Sequence, residues 1–386
     1  MLKVSARGQV PPFIVMDVMR AAAERAATGA DVLHLEVGQP STGAPAGAIA
    51  AAKRALDSDV LGYTLALGID PLRQRLAQHY AATHGLALPV DRLVVTAGSS
   101  GAFLLAFLAA FEAGDRVALA APGYPAYRNI LTALGLVVVE IPTGPETRFQ
   151  PTPALLEALP VPVEGLIVAS PSNPAGTMIP PAELRALAEY CHGRGIRLVS
   201  DEIYHGITYG MEAATAAAYS PSAFVVNSFS KYYSMTGWRL GWMVVPEDCH
   251  RAVECLAQNF FICPPAVSQH AALAAMDCRQ ELDANVARYA ANRAILLEEL
   301  PKAGLTDLAP ADGAFYIYAD IGRFTNDSPE FCRRLLADTG IAATPGVDFD
   351  PGRGHRTMRF SFAGATGTVA EAARRLRAWL GQDGLG

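Results

Sequence analysis

From residue 92 onward, short apolar segments alternate with helical ones, and this alternation constrains the fold more than any other feature of the chain. The predicted strands are residues 93–96, 116–119, 136–141, 166–169, 197–200, 224–227 and 239–245. Strands that are apolar along their whole length are buried on both faces. The pattern therefore predicts an α/β fold in which a mostly parallel, seven-stranded sheet is sandwiched by helices.

The last quarter of the chain has a different pattern of predicted helices and strands. A long helical stretch over about 266–300, expected to break near 279–283, is followed by strands near 313–319 and 358–362. Between these strands Ser328, Pro329 and Glu330 start a helix, with Ser328 as its expected cap. The pair Thr368 and Glu371 predicts a capping box at the start of the last helix. We therefore expect a smaller α+β domain over 281–386, a large domain over 46–280, and an N-terminal segment, 1–45, that packs with the small domain.

Composition narrows the possible partners. A chain of 386 residues is too long for one ordinary core, which agrees with two domains. The formal net charge of -6 argues against nucleic acid as a partner. The longest apolar stretch, 102–111, is too short to span a bilayer, so no membrane association is expected.

The cysteines and the N-terminus bear on location. Six cysteines are scattered without a Cys-x-x-Cys pair, so neither a metal site nor a disulfide framework is indicated. The first residues lack the apolar core of a signal peptide. Both features favour a cytoplasmic protein with reduced thiols.

The segment 228–239 carries the sharpest chemical signal. It follows a strand, and open α/β sheets bind ligands at the carboxyl ends of their strands. Lys231 can form an imine with an aldehyde there, provided that desolvation or nearby positive charge frees its amine. Arg239 suits bidentate recognition of a phosphate, and Ser228 offers a hydroxyl to the same group. The alternative is a surface lysine near a strand end.

Two more strand ends carry polar side chains. Asp201 can pair with a protonated pyridine nitrogen and make the ring an electron sink. Tyr204 and Asn173 can both donate hydrogen bonds to a phenolic oxygen on such a ring. The alternatives are a helix-capping aspartate, a packed tyrosine and, for Asn173, an ordinary turn.

A glycine turn and an aromatic residue follow two other strands. Residues 96–101 join a strand to a helix, where backbone N–H groups and the hydroxyls of Ser99 and Ser100 can hold a phosphate. The turn does not match the Gly-x-x-x-x-Gly-Lys pattern of nucleotide-binding loops. Tyr124 can stack on a pyridine ring, although core packing is the default for a tyrosine.

Taken together and in this order, these motifs resemble the class I/II aminotransferases of pyridoxal-phosphate (PLP) fold type I, particularly the bacterial subgroup that includes aspartate aminotransferases. The resemblance runs from Leu35 to the last helix. It implies PLP as cofactor, Lys231 as the Schiff-base lysine, and Asp201 as the partner of the pyridine nitrogen. It also implies further cofactor contacts from Tyr204, Asn173, Tyr124, Ser99, Ser100, Ser228 and Arg239, and assigns Ser230 to shaping the loop.

The same resemblance extends to the substrate and to a second subunit. Arg359, in Met-Arg-Phe-Ser-Phe-Ala, is similar to the arginine that grips the substrate's α-carboxylate, and Gly38 to the glycine whose backbone approaches that group. Asn173 is expected to bind the substrate as well as the cofactor. Tyr63, in Gly-Tyr-Thr, is similar to the tyrosine that reaches the phosphate of the neighbouring subunit. A homodimer is therefore expected.

The implied activity is the transfer of an amino group from an L-amino acid to a 2-oxo acid by a ping-pong mechanism through Lys231. Catalysis is expected from Lys231, Asp201 and Tyr204. The motifs alone leave open a carbon–sulfur β-lyase or a decarboxylase on the same fold. A non-catalytic regulator with a fused DNA-binding module is not expected, because the enzyme pattern begins almost at the start of the chain. A protein that has lost its cofactor is not expected, because the set of Lys231, Asp201, Tyr204, Asn173 and Arg239 is intact.

Substrate choice stays open at this stage. Aspartate-type relatives often carry a lysine in the glycine turn where this chain has Ser100, which argues against a dicarboxylate. Arg128, Arg148 or His34 can supply another cation. The apolar segment 10–14 favours a neutral or aromatic donor, or else it belongs to the core.

Overall fold

A computed structural model describes residues 2–382. The strands are β1 (Leu33–His34), β2 (Leu93–Thr96), β3 (Arg116–Ala121), β4 (Val137–Pro142), β5 (Gly165–Ala169), β6 (Arg197–Asp201), β7 (Phe224–Ser228), β8 (Gly241–Val244), β9 (Tyr316–Asp320), β10 (Ile341–Ala342), β11 (Thr344–Pro345) and β12 (Thr357–Ser361). The α-helices are α1 (Ile14–Ala27), α2 (Ala46–Ser58), α3 (Asp70–His84), α4 (Gly98–Ala110), α5 (Pro125–Leu134), α6 (Pro153–Glu157), α7 (Pro181–Gly193), α8 (His250–Phe260), α9 (Ala266–Ala275), α10 (Arg279–Lys302), α11 (Ser328–Thr339) and α12 (Thr366–Gln382).

The central sheet has seven strands in the order β2-β8-β7-β6-β5-β3-β4. Strand β8 runs antiparallel to both of its neighbours, and the other pairs are parallel. The predicted α/β class and the mostly parallel, seven-stranded sheet are confirmed. All parallel strands therefore end at the same edge of the sheet, where β8 begins.

Both faces of the sheet are buried, as the apolar strands require. In β5, Leu166 and Val168 pack into one core and Ile167 into the other. All three side chains are at most 2% exposed. Side chains along a strand alternate between faces, so a strand covered by helices on both sides needs apolar residues at every position.

The C-terminal part forms a small antiparallel sheet in the order β11-β12-β9. Helices α10 and α12 pack against each other beside it. The N-terminal segment joins this part because β1 pairs with β10, with Leu33 opposite Ile341. Residues that are about 300 positions apart in sequence thus lie side by side.

Two predicted helix caps differ from the structure. Helix α12 begins at Thr366, so Thr368 lies inside its first turn and is not the cap. Glu371 accepts hydrogen bonds from Arg374 and Arg375 on its own helix instead of closing a capping box. Helix α11 is capped by Asp327, whose carboxylate accepts a bond from the N–H of Glu330 at 3.0 Å, and not by Ser328.

Among the described residues, no helix is both long and apolar enough to cross a membrane. The same residues contain no group of three or more His, Cys, Asp or Glu side chains placed to hold a metal ion.

Candidate active site

The functional side chains meet at the edge where the parallel strands end. Asp201 is the last residue of β6, and Lys231 lies three residues beyond the end of β7. Asn173 follows β5, and Tyr124 follows β3. Arg239 precedes β8, which starts at this edge because it runs in the opposite direction.

A cavity of 340 Å³ opens at this edge. Ten of the twelve site residues predicted from the sequence line it: Gly38, Ser99, Ser100, Tyr124, Asn173, Asp201, Tyr204, Lys231, Arg239 and Arg359. Ser228 and Tyr63 are the two that do not.

Lys231 is partly buried at the wall of the cavity. Its Nζ donates a hydrogen bond to the carbonyl oxygen of Gly38 at 2.6 Å. Burial lowers the pKa of Lys231 to about 8, the charges of Arg359 and Arg239 act in the same direction, and Asp201 opposes them. A lysine held this way offers a free amine near neutral pH, which an exposed lysine does not.

Asp201 is buried and held by two donors. The hydroxyl of Tyr127 donates to its Oδ2, and the N–H of Ile203 donates to its Oδ1 at 3.1 Å. Burial raises the pKa of Asp201 to about 6, although both hydrogen bonds and the charge of Lys231 oppose the rise. At neutral pH the side chain is therefore mostly a carboxylate that faces the cavity.

Arg359 lies in β12 and extends toward the cavity from the small sheet. Its Nη1 donates to Asn173 Oδ1 at 2.7 Å, and its Nη2 donates to the carbonyl oxygen of Glu36 at 2.5 Å. The guanidinium lies 4.4 Å from the ring centre of Tyr316 and 4.8 Å from that of Phe349. Its Nε is buried and has no hydrogen-bond partner among the described residues.

Tyr204 and Asn173 are positioned as donors. The hydroxyl groups of Tyr204 and Tyr316 lie 2.7 Å apart. Burial raises the pKa of Tyr204 well above its ordinary value, so the hydroxyl stays protonated. Because arginine can only donate, the Asn173 oxygen faces Arg359, and the amide NH₂ of Asn173 is left to donate elsewhere.

A cradle for an anion lies at the start of α4. Ser99 and Ser100 line the cavity in the first turn, and Arg239 lines it from the opposite loop. A side-chain carbon at Gly98 would lie 2.6 Å from Arg239 Nη2, and the φ of Gly98 is +72°, so this position requires glycine. A helix start and a guanidinium in contact form a site that suits phosphate.

Ser228 and Ser230 make different contacts in the loop before Lys231. Ser228 does not line the cavity; its Oγ accepts a bond from the N–H of Ser230 at 3.0 Å and donates to Leu240 O at 3.4 Å. Ser230 lines the cavity. In this structure Ser228 Oγ bonds the backbone of the loop that precedes Lys231, and Ser230 faces the cavity.

The mouth of the cavity is apolar on the side of the N-terminus. Phe13, Val15, Met16 and Met19 line it, and the Phe13 ring meets the Tyr124 ring edge-on at 5.8 Å. Of the apolar segment 10–14, Phe13 lies at the cavity, and the other three side chains belong to α1.

None of the three cations considered from the sequence is among the described lining residues. Arg128 pairs with Glu140, Arg148 with Asp312, and His34 with Glu36. The charged residues that do line the cavity are Asp201, Lys231, Arg239 and Arg359.

Two site residues were not anticipated. Tyr127 bonds Asp201, and Tyr316 bonds Tyr204 and underlies Arg359. Tyr127 lies in the first turn of α5, three residues after the N-cap residue Tyr124, and the centres of the two rings are 5.3 Å apart. Tyr316 lies in the predicted strand 313–319, but the direction in which its side chain points depends on contacts with residues distant in sequence.

The comparisons with known proteins agree with this geometry. The sequence profile of the family "aminotransferase class I and II" matches residues 30–376. This chain belongs to the class I and II aminotransferases. Enzymes of this family depend on PLP. The similar proteins are named aminotransferases, so transamination is favoured over the lyase and decarboxylase alternatives.

Individual aminotransferases are similar along the whole chain. A Mycobacterium tuberculosis protein named valine–pyruvate aminotransferase is 56% identical over 382 residues, covering 98% of each chain. The crystal structure of an aminotransferase from Mycobacterium tuberculosis matches with a TM-score of 0.98 at 55% identity, covering 99% of this chain and 100% of the other. The Thermus thermophilus aspartate aminotransferase with maleate matches with a TM-score of 0.92 at 31% identity, covering 98% and 100%. The neighbours share the type I fold.

The residues of this aminotransferase fit PLP. The glycine-dependent cradle between α4 and Arg239 suits the phosphate, and Asp201 offers a carboxylate to a ring nitrogen. Lys231 is the only described lysine that lines the cavity, since Lys3, Lys53 and Lys302 are exposed. The buried Arg359 Nε without a partner marks a donor that a carboxylate ligand can use.

Proposed function

We propose that this aminotransferase transfers the amino group of valine, or of another apolar L-amino acid of similar size, to pyruvate. The observation that carries the proposal is the apolar mouth formed by Phe13, Val15, Met16 and Met19. It is supported by the whole-chain similarity to the protein named valine–pyruvate aminotransferase.

The charges of the site support an apolar substrate. Arg239 belongs to the proposed phosphate cradle and Arg359 to the proposed carboxylate clamp. Beyond these two and Lys231, no cation is found among the described residues that line the cavity. A second substrate carboxylate would therefore lie against apolar side chains without a partner, which is strongly unfavourable.

Each site residue has a proposed role. Bound PLP supplies an aldehyde that combines with amines and a protonated ring that withdraws electrons. Arg359 and the backbone of Gly38 orient the substrate's α-carboxylate. Lys231 holds the cofactor, and once displaced by the substrate amine it moves the α-proton as a general base and acid.

The remaining residues hold the cofactor in place. Asp201, oriented by Tyr127, keeps the ring nitrogen protonated, and Tyr124 covers the ring. Tyr204 and the Asn173 amide donate to the phenolic oxygen. Ser99, Ser100, Ser228 and Arg239 hold the phosphate, and Ser230 shapes the loop beside the cavity.

A half-reaction tests the substrate proposal. Valine added without any keto acid should bleach the visible band of the loaded enzyme and release one equivalent of its keto acid; pyruvate should then restore the band and yield alanine. Aspartate should react at least about a hundredfold more slowly, because its second carboxylate meets the apolar wall. Aspartate reacting as fast as valine would contradict the proposal, and continuous release of ammonia or carbon dioxide would indicate a lyase or a decarboxylase.

Lys231 should capture PLP in a pH-dependent way. The pKa of Lys231 is lowered to about 8, so below that pH most of the amine is protonated and unreactive. The rate of PLP capture by the apoprotein should rise about tenfold per pH unit up to about 8 and then level off. Arg359→Leu should move this midpoint upward, because it removes a charge that lowers the pKa of Lys231. The exposed Arg356, changed to leucine, is the control; a midpoint near pH 10 in the wild type would oppose the assignment.

We further propose a homodimer in which Tyr63 reaches the neighbouring site. Tyr63 is 85% exposed and lies outside the cavity of its own chain. Other exposed apolar side chains are Leu56, Val60 and Leu65, which are near Tyr63 in sequence, and Phe260 and Ile262 at the end of α8. Gln269 links the loop of Tyr63 to the segment that follows α8, since its Nε2 donates to Thr64 Oγ1 at 3.1 Å and to Pro264 O at 3.0 Å. Such a patch favours an interface.

A second depression supports the same arrangement. It has a volume of 660 Å³ and shares Gln39, Thr236 and Arg239 with the first cavity. Arg239 is exposed there, beside the proposed phosphate cradle. A tyrosine from a second subunit would cover the phosphate from this side.

Hybrid dimers test the shared site. Lys231→Ala removes the essential amine, and Tyr63→Ala removes the donor from the partner's site. In a mixed dimer, the Tyr63→Ala subunit keeps its own Lys231 and receives Tyr63 from the other subunit, so one intact site is rebuilt. Mixing the variants after reversible dissociation should restore PLP affinity and activity at one site per dimer. In the control mixture, Leu2→Ala replaces Tyr63→Ala. If the activity of the Lys231→Ala and Tyr63→Ala mixture is the same before and after mixing, the shared site is contradicted.

Two further expectations remain proposals. We propose domain limits of 1–45, 46–280 and 281–386, which the pairing of β1 with β10 supports for the N-terminal segment. We also propose that the enzyme acts in the cytoplasm, since all six cysteines are free.

A further inference from the structure

Helix α1, which carries the apolar mouth of the site, has no cap of its own. Its N-cap residue is Phe13, which makes no side-chain capping bond. The cap comes instead from Asp348, which is more than 300 residues away in sequence. Asp348 Oδ1 accepts a bond from the N–H of Ile14 at 3.1 Å, and its Oδ2 accepts one from the N–H of Val15 at 3.2 Å. Two of the four N–H groups that a helix start leaves unpaired are thereby satisfied.

The surroundings of Asp348 favour a fixed carboxylate. Asp348 is only 3% exposed and ends the short 3₁₀ turn Gly346–Asp348. Burial raises the pKa of Asp348, and the two N–H groups and the charges of Arg359 and Arg128 reduce that rise. Arg128 also donates to the carbonyl oxygen of Asp348 at 3.3 Å and pairs with Glu140.

The residue after Asp348 contacts the carboxylate clamp. The ring centre of Phe349 lies 4.8 Å from the guanidinium carbon of Arg359. The adjacent residues Asp348 and Phe349 therefore contact the two parts of the proposed substrate site, α1 and Arg359. Asp348 binds the first N–H groups of α1, whose apolar residues line the cavity. The Phe349 ring packs against the guanidinium of Arg359, which would bind the α-carboxylate.

We propose that Asp348 is a positioning residue for side-chain specificity: by capping α1, it fixes the distance between the Arg359 clamp and the wall formed by Phe13, Val15, Met16 and Met19. The inference rests on the proposed function, because it takes the wall to face the substrate side chain. Asp348 does not line the cavity among the described residues, so it acts through the helix and not by contact with substrate.

The expected signature is a loss that grows with the size of the substrate's side chain. Valine has a branched side chain that reaches the wall, whereas alanine has one methyl group. Displacing the wall should therefore lower kcat/KM for valine and leave that for alanine nearly unchanged. A charge-assisted hydrogen bond contributes enough to change valine kcat/KM by about tenfold, mainly through KM.

Three variants test the inference. Asp348→Asn keeps the shape and one acceptor, and Asp348→Ala removes both acceptors. Asp17→Asn is the matched control, because Asp17 lies in the first turn of the same helix but is exposed and pairs only with Arg20. Each variant is compared with the wild type in kcat/KM for valine and for alanine. Hydrogen exchange of the amides of Ile14 and Val15 is followed in the same loaded proteins.

The inference predicts amide exchange at least about tenfold faster in Asp348→Asn than in the wild type or Asp17→Asn, together with a valine-to-alanine ratio about tenfold lower. Unchanged exchange in Asp348→Asn and Asp348→Ala, or equal losses for valine and alanine, would overturn it. If Asp348→Ala does not fold, Asp348→Asn decides the outcome alone. Should valine prove not to be a substrate, the proposed function fails separately, and the ratio is measured with the amino acids that do bleach the visible band.

Discussion

Replacing Lys231 with alanine is expected to lower turnover by about 10⁴-fold or more, the upper range for loss of a positioned general base. Lys231 is the only described lysine at the cavity, and its lowered pKa makes its amine available near neutral pH. The variant should still bind PLP, because the cradle of α4 and Arg239 is untouched. The visible spectrum of the loaded protein should instead match that of PLP bound without a covalent link to the chain.

The control for Lys231 is Lys302→Ala. Lys302 is exposed and pairs with Glu298 and Glu299 on its own helix, so its loss should leave spectrum and turnover unchanged. A Lys231→Ala protein with the wild-type spectrum would refute the assignment of the cofactor to this residue.

Asp201→Asn is expected to lower kcat by about 10²- to 10³-fold, with PLP still bound, because a preorganised charge aimed at the reacting system is lost. Asparagine has the same shape but cannot hold a proton on the ring nitrogen. The phosphate cradle and Lys231 are unchanged, so the covalent attachment of PLP should persist. Steady-state kinetics and the visible spectrum measure the two effects separately.

Tyr127→Phe serves as the graded control for Asp201. It removes one hydrogen bond to the carboxylate and keeps the charge, so a loss of about tenfold is expected. If Asp201→Asn retained near-normal kcat, the carboxylate would not be the partner of the ring. If Tyr127→Phe lost as much as Asp201→Asn, the tyrosine would have a direct role that this account does not give it.

The sequence predicts much of the site because local rules place it. Parallel strands end at one edge of a sheet, so Asp201, Asn173, Tyr124 and Lys231 could be grouped before any coordinates were known. The glycine turn before α4 could be assigned in the same way, since helix starts bind anions. Each of these inferences needs only a strand, its direction and the residue that follows it.

The rest depends on contacts that no local pattern contains. Tyr316 and Asp348 act through partners more than 100 residues away in sequence, Tyr204 and α1 respectively. The positions of Ser228 and Ser230 depend on which hydroxyl bonds the backbone of the turn. The predicted cap at Thr368 was wrong because α12 starts two residues earlier, and the preference of threonine for caps does not fix a helix start to a single residue.

The central claim is that Lys231 holds the cofactor, and the most direct test is to locate the modified lysine. The chain has four lysines, Lys3, Lys53, Lys231 and Lys302. Borohydride reduction of the loaded enzyme, followed by tryptic digestion and mass spectrometry, fixes PLP to the amine that carries it. The account predicts the added mass on an uncut peptide of residues 198–239, because trypsin does not cleave after a modified lysine. The same mass on Lys3, Lys53 or Lys302, with Lys231 unmodified and cleaved, would contradict it.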